Sequence, residues 1–176
     1  RFFIEERGRR PHYFDAEARA RGEDPGASWA ARGIAAKYDY SQAHIPLRRQ
    51  ASIEGHAVRA LYLASGLADV AGETGDRGLL AAARRLFRSA ARRRMYVTGG
   101  VGSAHEGERF TVDYDLPNER AYAETCAAIA LVFFAHRMLQ LEADGEYADV
   151  MERALFNGVL PGVSRDGRSF FYVNPL

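Results

Sequence analysis

The sequence predicts a mainly α-helical fold of the α/α-barrel or toroid type that ends in a short β-hairpin. Two observations support this class. Apolar residues recur three or four positions apart in four segments between residues 52 and 160, which is the spacing of one helix face. A segment without helical rhythm, residues 95–118, divides these helices into two pairs. A four-helix bundle fits less well, because bundle helices are normally joined by about 2–8 residues.

Residues 1–50 predict an irregular connection with short helical pieces, since prolines and glycines such as Pro11 and Pro25 interrupt them. The first long helix is predicted from Ser52 to about Gly72. Its apolar face includes His56, among Ile53, Ala57, Ala60, Leu61, Ala64, Leu67 and Ala68. Asp76 is the expected N-cap of a second helix, whose buried stripe is Leu79, Leu80, Ala83, Leu86, Phe87 and Ala90. The short link predicts an antiparallel pair.

The segment 95–118 is too long and too rich in special residues for a simple connector. Loops of this length inside a domain are usually functional or disordered. Its apolar residues favour packing: Met95, Tyr96, Val97, Phe110, Val112, Tyr114 and Leu116. The glycine-rich run 99–103 superficially resembles a phosphate-binding loop, but it lacks the strand, the helix and the lysine of such a loop. We interpret it as a tight backbone turn.

The C-terminal part predicts a second helical pair and a hairpin. Helices are expected over residues 127–143 and 147–160, where apolar residues again recur at helical spacing. Two short apolar runs follow, Leu160 to Ser164 and Ser169 to Val173, with Asp166-Gly167 between them. An Asp-Gly pair between such runs is a hairpin turn signal.

Charge and composition exclude several classes of function. The 176 residues include 24 basic and 23 acidic side chains, a net charge of +1, so no electrostatic basis exists for a nucleic-acid or anionic-membrane partner. The arginine cluster is expected on the solvated face of the second helix: Arg84, Arg85, Arg88, Arg92, Arg93 and Arg94. No apolar run approaches the ~20 residues of a membrane span. The single cysteine, Cys126, excludes an intrachain disulfide and, without a signal sequence, favours a reducing, cytoplasmic location.

The chain is expected to be a fragment of a longer protein. It begins at Arg1 and stops directly after an apolar, strand-like run, which predicts truncation at the C-terminus and a missing N-terminal part. A fragment exposes helix faces that neighbouring helices would cover. A homodimer formed through those faces is therefore one expected partner.

Carboxylates are concentrated in and after the long loop: Glu106, Glu108, Asp113, Asp115, Glu119 and Glu124. A pair flanking a glycosidic bond supplies the acid and base of sugar hydrolysis, although most loop carboxylates are only solvated or cap helices. Glu108 is the strongest candidate. Gly107 permits close backbone packing, and Phe110 offers an apolar wall that would raise the pKa of a carboxyl group.

Glu124 and Cys126 place a carboxylate and a thiol two residues apart. On an ideal helix these side chains diverge by about 200°, so one metal binds both only if this stretch is extended or forms an irregular helix start. Zinc accepts such ligands in a site of four donors. Simpler interpretations stay open: Cys126 as a buried small residue, His56 as a core histidine, and Tyr172 as packing of the end strand.

Six segments in this order carry a family resemblance: GHAVRA at 55–60, TGGVGS at 98–103, GERF at 107–110, YDLPN at 114–118, YAETCA at 122–127 and YVNPL at 172–176. Over residues 38–176 the chain resembles glycoside hydrolase family 127, whose founding activity is β-L-arabinofuranosidase. The resemblance implies that residues 1–176 are part of one (α/α)6-barrel catalytic domain. It implies a terminal β-L-arabinofuranoside as the carbohydrate substrate.

The same resemblance implies a retaining mechanism and a role for each site residue. Glu108 corresponds to the general acid/base, and Glu124 and Cys126 correspond to two ligands of a Zn2+ ion. An adjacent cysteine pair farther downstream would complete the zinc site and supply the nucleophile, so the nucleophile is expected beyond residue 176. His56 and Tyr172 would lie in the sugar pocket.

Two other classes of function stay open. An α/α-barrel epimerase or lyase acting on sugars would use paired histidines or a tyrosine base and would not need Cys126. A non-catalytic helical scaffold predicts that substitution of Glu108 or Cys126 changes only stability. An adjacent cysteine pair downstream would favour the glycosidase.

Overall fold

The computed structural model describes residues 1–27 and 37–174. Within them lie seven α-helices, which we number α1 Phe2–Glu6, α2 Tyr13–Ala20, α3 Lys37–Tyr40, α4 Ala57–Thr74, α5 Arg77–Arg93, α6 Thr125–Leu141 and α7 Gly145–Ala154. Leu47–Arg49 and Leu160–Gly162 are short 3-10 turns, and Leu155–Val159 is a π-helical turn. In these residues β structure is limited to isolated bridges. The prediction of a mainly α-helical chain is confirmed.

The first long helix begins five residues later than predicted. Gly55 has a left-handed backbone, with φ +77°, and a side chain there would collide with the backbone carbonyl groups of Asp39 and Tyr40. Helix α4 therefore starts only at Ala57, and His56 is its N-cap. The prediction that His56 lies on the apolar helix face is wrong, because the residue precedes the helix.

The second helix begins as predicted. Asp76 is its N-cap, and Oδ1 accepts hydrogen bonds from the backbone N–H groups of Gly78 at 2.9 Å and Leu79 at 3.1 Å. Gly75, with φ +64°, ends α4. The two-residue link turns the chain back, so α4 and α5 form the expected antiparallel pair.

Helices α4 and α6 form the centre of the fold. Helix α4 packs against both α5 and α6, and α6 also packs against α7. Small residues let α4 and α6 approach closely: Ala60, Ala64, Ala68, Ala127, Ala130 and Ala135 are all buried. Phe87 of α5 meets Phe134 of α6 edge-on, with ring centroids 5.7 Å apart.

Two arginines of the run hold neighbouring segments together by hydrogen bonds, in addition to forming part of a solvated surface. Arg94 is only 7% exposed and donates hydrogen bonds to Glu54 and Asp113, each at 2.9 Å, and to the carbonyl oxygen of Ile53. Arg85 donates to the carbonyl oxygens of Gln50 and Arg48. The expectation of a purely solvated face is therefore wrong for these two residues.

The long segment 95–118 is irregular, as predicted, and its glycine-rich part is a tight turn. Met95 and Val101 form an antiparallel bridge, and Tyr96 N–H donates to the carbonyl oxygen of Gly100 at 2.9 Å. Gly99 has φ +88°, and a Cβ there would lie 2.7 Å from the backbone of Ala154. The glycine is required by the close approach of α7.

The predicted C-terminal hairpin is only partly present. Helix α7 ends at Ala154, and Pro161, which has no N–H to donate, lies in the 3-10 turn where the first strand was expected. One bridge, Val163 to Phe170, joins the two segments, together with a Phe171 N–H to Gly162 carbonyl hydrogen bond of 2.7 Å. The turn at 166–167 is correct, whereas the strands shrink to single bridge residues.

None of the helices in the described residues combines the length and the apolar character needed to cross a membrane.

Candidate functional site

Glu108 lies at the centre of a cluster of polar side chains. Its Oε1 accepts hydrogen bonds from the hydroxyl groups of Tyr122 at 2.9 Å and Tyr172 at 3.1 Å. Its Oε2 lies 3.1 Å from Nε2 of His56. Segments far apart in sequence thus converge on one carboxylate, which gathers three of the predicted site residues, Glu108, His56 and Tyr172.

The backbone around Glu108 is strained and firmly held. Gly107 has φ +74° and Glu108 itself has φ +49°, a region that residues with a side chain rarely adopt. Glu108 N–H donates to the carbonyl oxygen of His105 at 3.1 Å, and its own carbonyl oxygen accepts from Ala57 N–H at 2.9 Å. The first turn of α4 therefore fixes the loop that carries Glu108.

His56 joins the helix start to Glu108 through its two ring nitrogens. Nδ1 accepts a hydrogen bond from the backbone N–H of Arg59 at 3.3 Å, as an N-cap side chain does. A neutral imidazole that accepts at one nitrogen carries its proton on the other. Nε2 of neutral His56 therefore donates to the carboxylate of Glu108.

The environment of Glu108 lowers the pKa of its carboxyl group. Burial raises that pKa, but the hydrogen bonds from Tyr122, Tyr172 and His56 favour the charged form and together outweigh burial. The expectation that Phe110 would raise the pKa is wrong. Phe110 is buried in the main hydrophobic core instead. The lowered pKa makes the carboxylate the main form of Glu108 at neutral pH.

Glu124 and Cys126 meet at the start of α6. Glu124 is the helix N-cap, with φ −59° and ψ 136°, outside the helical region, and its Oε1 accepts a hydrogen bond from the thiol of Cys126. One metal ion could bind both side chains only at an irregular helix start. The start of α6 has this irregular form. Burial and the adjacent carboxylate raise the pKa of the Cys126 thiol to about 12.

Glu124 also contains an unsatisfied polar atom. The residue is 3% exposed, and among the described residues no hydrogen-bond donor reaches its buried Oε2. A buried polar atom without a hydrogen-bond partner is energetically costly. Together with the Cys126 sulfur, this oxygen offers two donor atoms of the kinds that zinc prefers.

Tyr172 is held by α6. Its backbone carbonyl accepts from Thr125 N–H at 2.8 Å, and Val173 forms an antiparallel bridge with Glu124. The pKa of the Tyr172 hydroxyl is raised above its usual value. The largest cause is the nearby Glu124 carboxylate, followed by burial and by the Glu108 carboxylate. The residue is 47% exposed, which disfavours the simpler interpretation of Tyr172 as packing of the end strand.

The remaining carboxylates of the long loop stay outside the cluster. Glu106 and Glu119 are exposed, and Asp113 pairs with Arg93 and Arg94 at 3.1 and 2.9 Å. Tyr122, which sequence reasoning did not single out, belongs to the cluster. Its signal was its position in the YAETCA segment, two residues before Glu124.

Comparisons with known proteins identify the family of the chain. The family model of the β-L-arabinofuranosidase GH127 catalytic domain matches residues 1–176. A non-reducing end β-L-arabinofuranosidase from Bifidobacterium longum subsp. longum is 53% identical over 140 residues, which are 80% of this chain and 21% of that protein.

Solved structures agree as well. A GH127 β-L-arabinofuranosidase from Geobacillus stearothermophilus T6 is similar with a TM-score of 0.92 and 54% identity, over 99% of this chain and 27% of that chain. A second GH127 β-arabinofuranosidase gives a TM-score of 0.77 and 43% identity, over 93% of this chain and 27% of that chain. This chain spans about a quarter of these structures. Because the family model covers all 176 residues, the chain belongs to the GH127 β-L-arabinofuranosidase catalytic-domain family.

Proposed function

We propose that this chain is part of a retaining glycoside hydrolase that releases terminal β-L-arabinofuranose from a carbohydrate substrate. The observation that carries the proposal is the position of Glu108, which is held by three donors in the same cluster as Tyr172 and the Glu124–Cys126 pair. Family membership supplies the substrate class. The same cluster is too specific for a helical scaffold, which needs no convergent titratable groups.

Glu108 acts as general acid and then as general base. The first step uses the protonated form of Glu108, which is the minor form at neutral pH because the three hydrogen bonds lower its pKa. A cysteine thiolate of the longer protein bonds to the anomeric carbon, the glycosidic C–O bond breaks, and protonated Glu108 gives its proton to the leaving oxygen. In the second step Glu108 takes a proton from water. The water oxygen then bonds to the anomeric carbon, and the thiolate leaves.

Glu124 and Cys126 are proposed as two of the zinc ligands. The buried Oε2 of Glu124 without a hydrogen-bond partner and the adjacent thiol of Cys126 fit this role. A bound zinc ion would keep its cysteine ligands deprotonated at neutral pH. The described residues contain no group of three metal-binding side chains, so further ligands would come from outside this part of the protein.

His56 and Tyr172 are proposed to line the sugar pocket. Both reach Glu108, so a sugar whose glycosidic oxygen contacts that carboxyl group would lie against them. The ring of Tyr172 faces that of Tyr122 edge-on at 6.3 Å, which offers an apolar surface beside polar hydroxyl groups. Such a surface suits a furanose, which has both C–H and O–H groups.

The helices are proposed to be one portion of the (α/α)6 barrel. The first turn of α4 holds Glu108 through Ala57 N–H, the first turn of α6 holds Tyr172 through Thr125 N–H, and the two helices pack side by side. They therefore run in the same direction, with α5 and α7 as the antiparallel returns. This alternation of inner and returning helices is the arrangement that such a barrel repeats.

The test is substitution of Glu108 in the full-length protein. Glu108→Gln keeps the shape of the side chain but cannot give a proton, so turnover of alkyl β-L-arabinofuranosides should fall at least about 100-fold. Aryl glycosides, whose leaving groups need little protonation, should lose far less. Glu106→Gln, an exposed neighbour in the same turn, is the matched control. Equal losses on both substrates would make Glu108 a structural residue.

A further inference from the structure

The two oxygens of the Glu108 carboxylate have different surroundings. Oε1 accepts from two phenol groups, Tyr122 at 2.9 Å and Tyr172 at 3.1 Å. Oε2 has His56 alone, at 3.1 Å. Each carboxylate oxygen has two lone pairs. Both lone pairs of Oε1 are therefore occupied, while among the described residues one lone pair of Oε2 stays open.

We propose that Tyr122 is a positioning residue which, with Tyr172, occupies Oε1 and so makes Oε2 the oxygen of Glu108 that exchanges the proton with the substrate. The inference deepens the proposed function and rests on it. A protonated Glu108 would carry its hydrogen on the open side of Oε2. The hydrogen would then move from Oε2 to the leaving oxygen, and later from water to Oε2.

Tyr122 is aimed at Glu108 by a strained backbone. The next residue, Ala123, has φ +40°, which is unfavourable for an alanine. Several hydrogen bonds enforce it: Ala123 N–H donates to the carbonyl oxygen of Gly102 at 3.0 Å, and its carbonyl oxygen accepts from Asn174 N–H at 3.2 Å. Strain that is held in this way is typical of functional sites.

The partner of Tyr122 is held in the same manner. Glu108 is also left-handed, and α4 fixes its carbonyl oxygen. The rings of His105 and Tyr172 face Tyr122 edge-on at 5.1 and 6.3 Å. The phenol is thus fixed from two sides, with its hydroxyl group 2.9 Å from Oε1 of Glu108.

The test is Tyr122→Phe in the full-length, metal-loaded protein. The titratable groups that face Glu108 are His56, Tyr122 and Tyr172, with Glu124 and Cys126 beyond them. The variant removes one donor to the carboxylate, so the basic limb of kcat/KM, where Glu108 must be protonated, should move up by about one pH unit. For alkyl glycosides kcat should fall, with KM little changed.

Tyr147→Phe is the matched control, because Tyr147 donates a phenol hydrogen bond to Glu142 at 3.0 Å away from the cluster. It should leave the pH profile unchanged. A second readout needs no turnover: carbon-13 NMR of labelled glutamate, assigned with Glu108→Gln, follows the titration of Glu108 directly.

The outcomes separate the two proposals. An unmoved limb and an unmoved Glu108 titration in Tyr122→Phe, with only a lower melting temperature, would overturn the positioning role. A wild-type protein without arabinofuranosidase activity would overturn the proposed function. A raised Glu108 titration in Tyr122→Phe would still support the carboxylate geometry in that case.

Discussion

His56 has two separable tasks, and two substitutions distinguish them. Nδ1 caps α4 through Arg59 N–H, and Nε2 donates to Glu108. His56→Asn retains a good N-cap side chain but is too short to reach Glu108. His56→Phe loses both interactions. The difference in stability between the two variants therefore measures the N-cap hydrogen bond. The change in the pKa of Glu108 that both variants share measures the hydrogen bond from Nε2.

The structure sets the size of each effect. The cap hydrogen bond is long, at 3.3 Å, so its loss should lower the free energy of unfolding by about 1 kcal/mol, the middle of the usual range for caps. Loss of the Nε2 donor removes one of three hydrogen bonds that favour the Glu108 carboxylate. In both variants the pKa of Glu108 should therefore rise, and the apparent KM should rise because His56 is proposed to line the sugar pocket.

The assay combines urea unfolding at pH 7 with the pH profile of kcat/KM on the full-length protein. We expect His56→Asn to be more stable than His56→Phe by about 1 kcal/mol. In both variants the basic limb of the kcat/KM profile should move to higher pH. His136→Phe, an exposed position on α6, is the control for the pH profile. Equal stabilities of the two His56 variants would refute the cap, and wild-type profiles and KM values would refute the contact with Glu108.

Three further predictions concern the parts that support the site. Arg94→Met should lower the free energy of unfolding by about 1–3 kcal/mol, because it leaves the buried carbonyl group of Ile53 and two partly exposed carboxylates without their donor. Since hydrogen bonding to Arg94 lowers the pKa of Asp113, the Asp113 share of this loss should be complete above about pH 4 and fade as the pH falls through the lowered pKa. Gly55→Ala should abolish turnover, because the new side chain collides with backbone atoms, whereas Gly75→Ala, with equally positive φ but open space, should lose only about 1–2 kcal/mol of stability. Residues 1–176 alone should retain less than one zinc ion per chain after dialysis and show no turnover, and in the full-length protein Cys126→Ser should lower the zinc content. Stoichiometric zinc with turnover in residues 1–176 would place the nucleophile inside this chain.

Local rules predicted the helices well where a single residue decides the boundary. Asp76 follows a glycine and precedes an apolar stripe, and its carboxylate does accept two hydrogen bonds from the first turn. The start of α4 was missed because the apolar spacing continues through Gly55 without interruption. What breaks that helix is a backbone contact with residues 39 and 40, and no local pattern contains it.

Long-range contacts also explain the errors at the C-terminus and in the arginine run. The predicted hairpin strands are too short because the 3-10 turn with Pro161 takes the place of the first strand. The sequence predicts Arg94 to be solvated like its neighbours in the run. In the structure it is 7% exposed, because Glu54 and Asp113 approach it from two loops. Charge patterns do not report which arginine a later loop will cover.

Most residues of the Glu108 cluster could be named from the sequence, but the hydrogen bonds between them could not. Glu108, His56 and Tyr172 could be named from short segments, yet the direction of the Glu108 pKa could not. Phe110 suggested an apolar surrounding, whereas the decisive groups are three hydrogen-bond donors from distant segments. Tyr122 was missed because its direction depends on the left-handed Ala123, and alanine gives no signal for that conformation.

The strained positions indicate which contacts the site needs to keep its shape. Ala123 and Glu108 adopt unfavourable backbone conformations that only contacts with residues 102, 174 and 57 hold in place. Neither loop can keep these conformations alone, since the strain of each is offset by bonds to another segment. The Glu108 cluster therefore needs the first turn of α4 and the segments around residues 102 and 174 in place at the same time. Substitutions that loosen these contacts should for this reason lower turnover in the full-length protein before they unfold it.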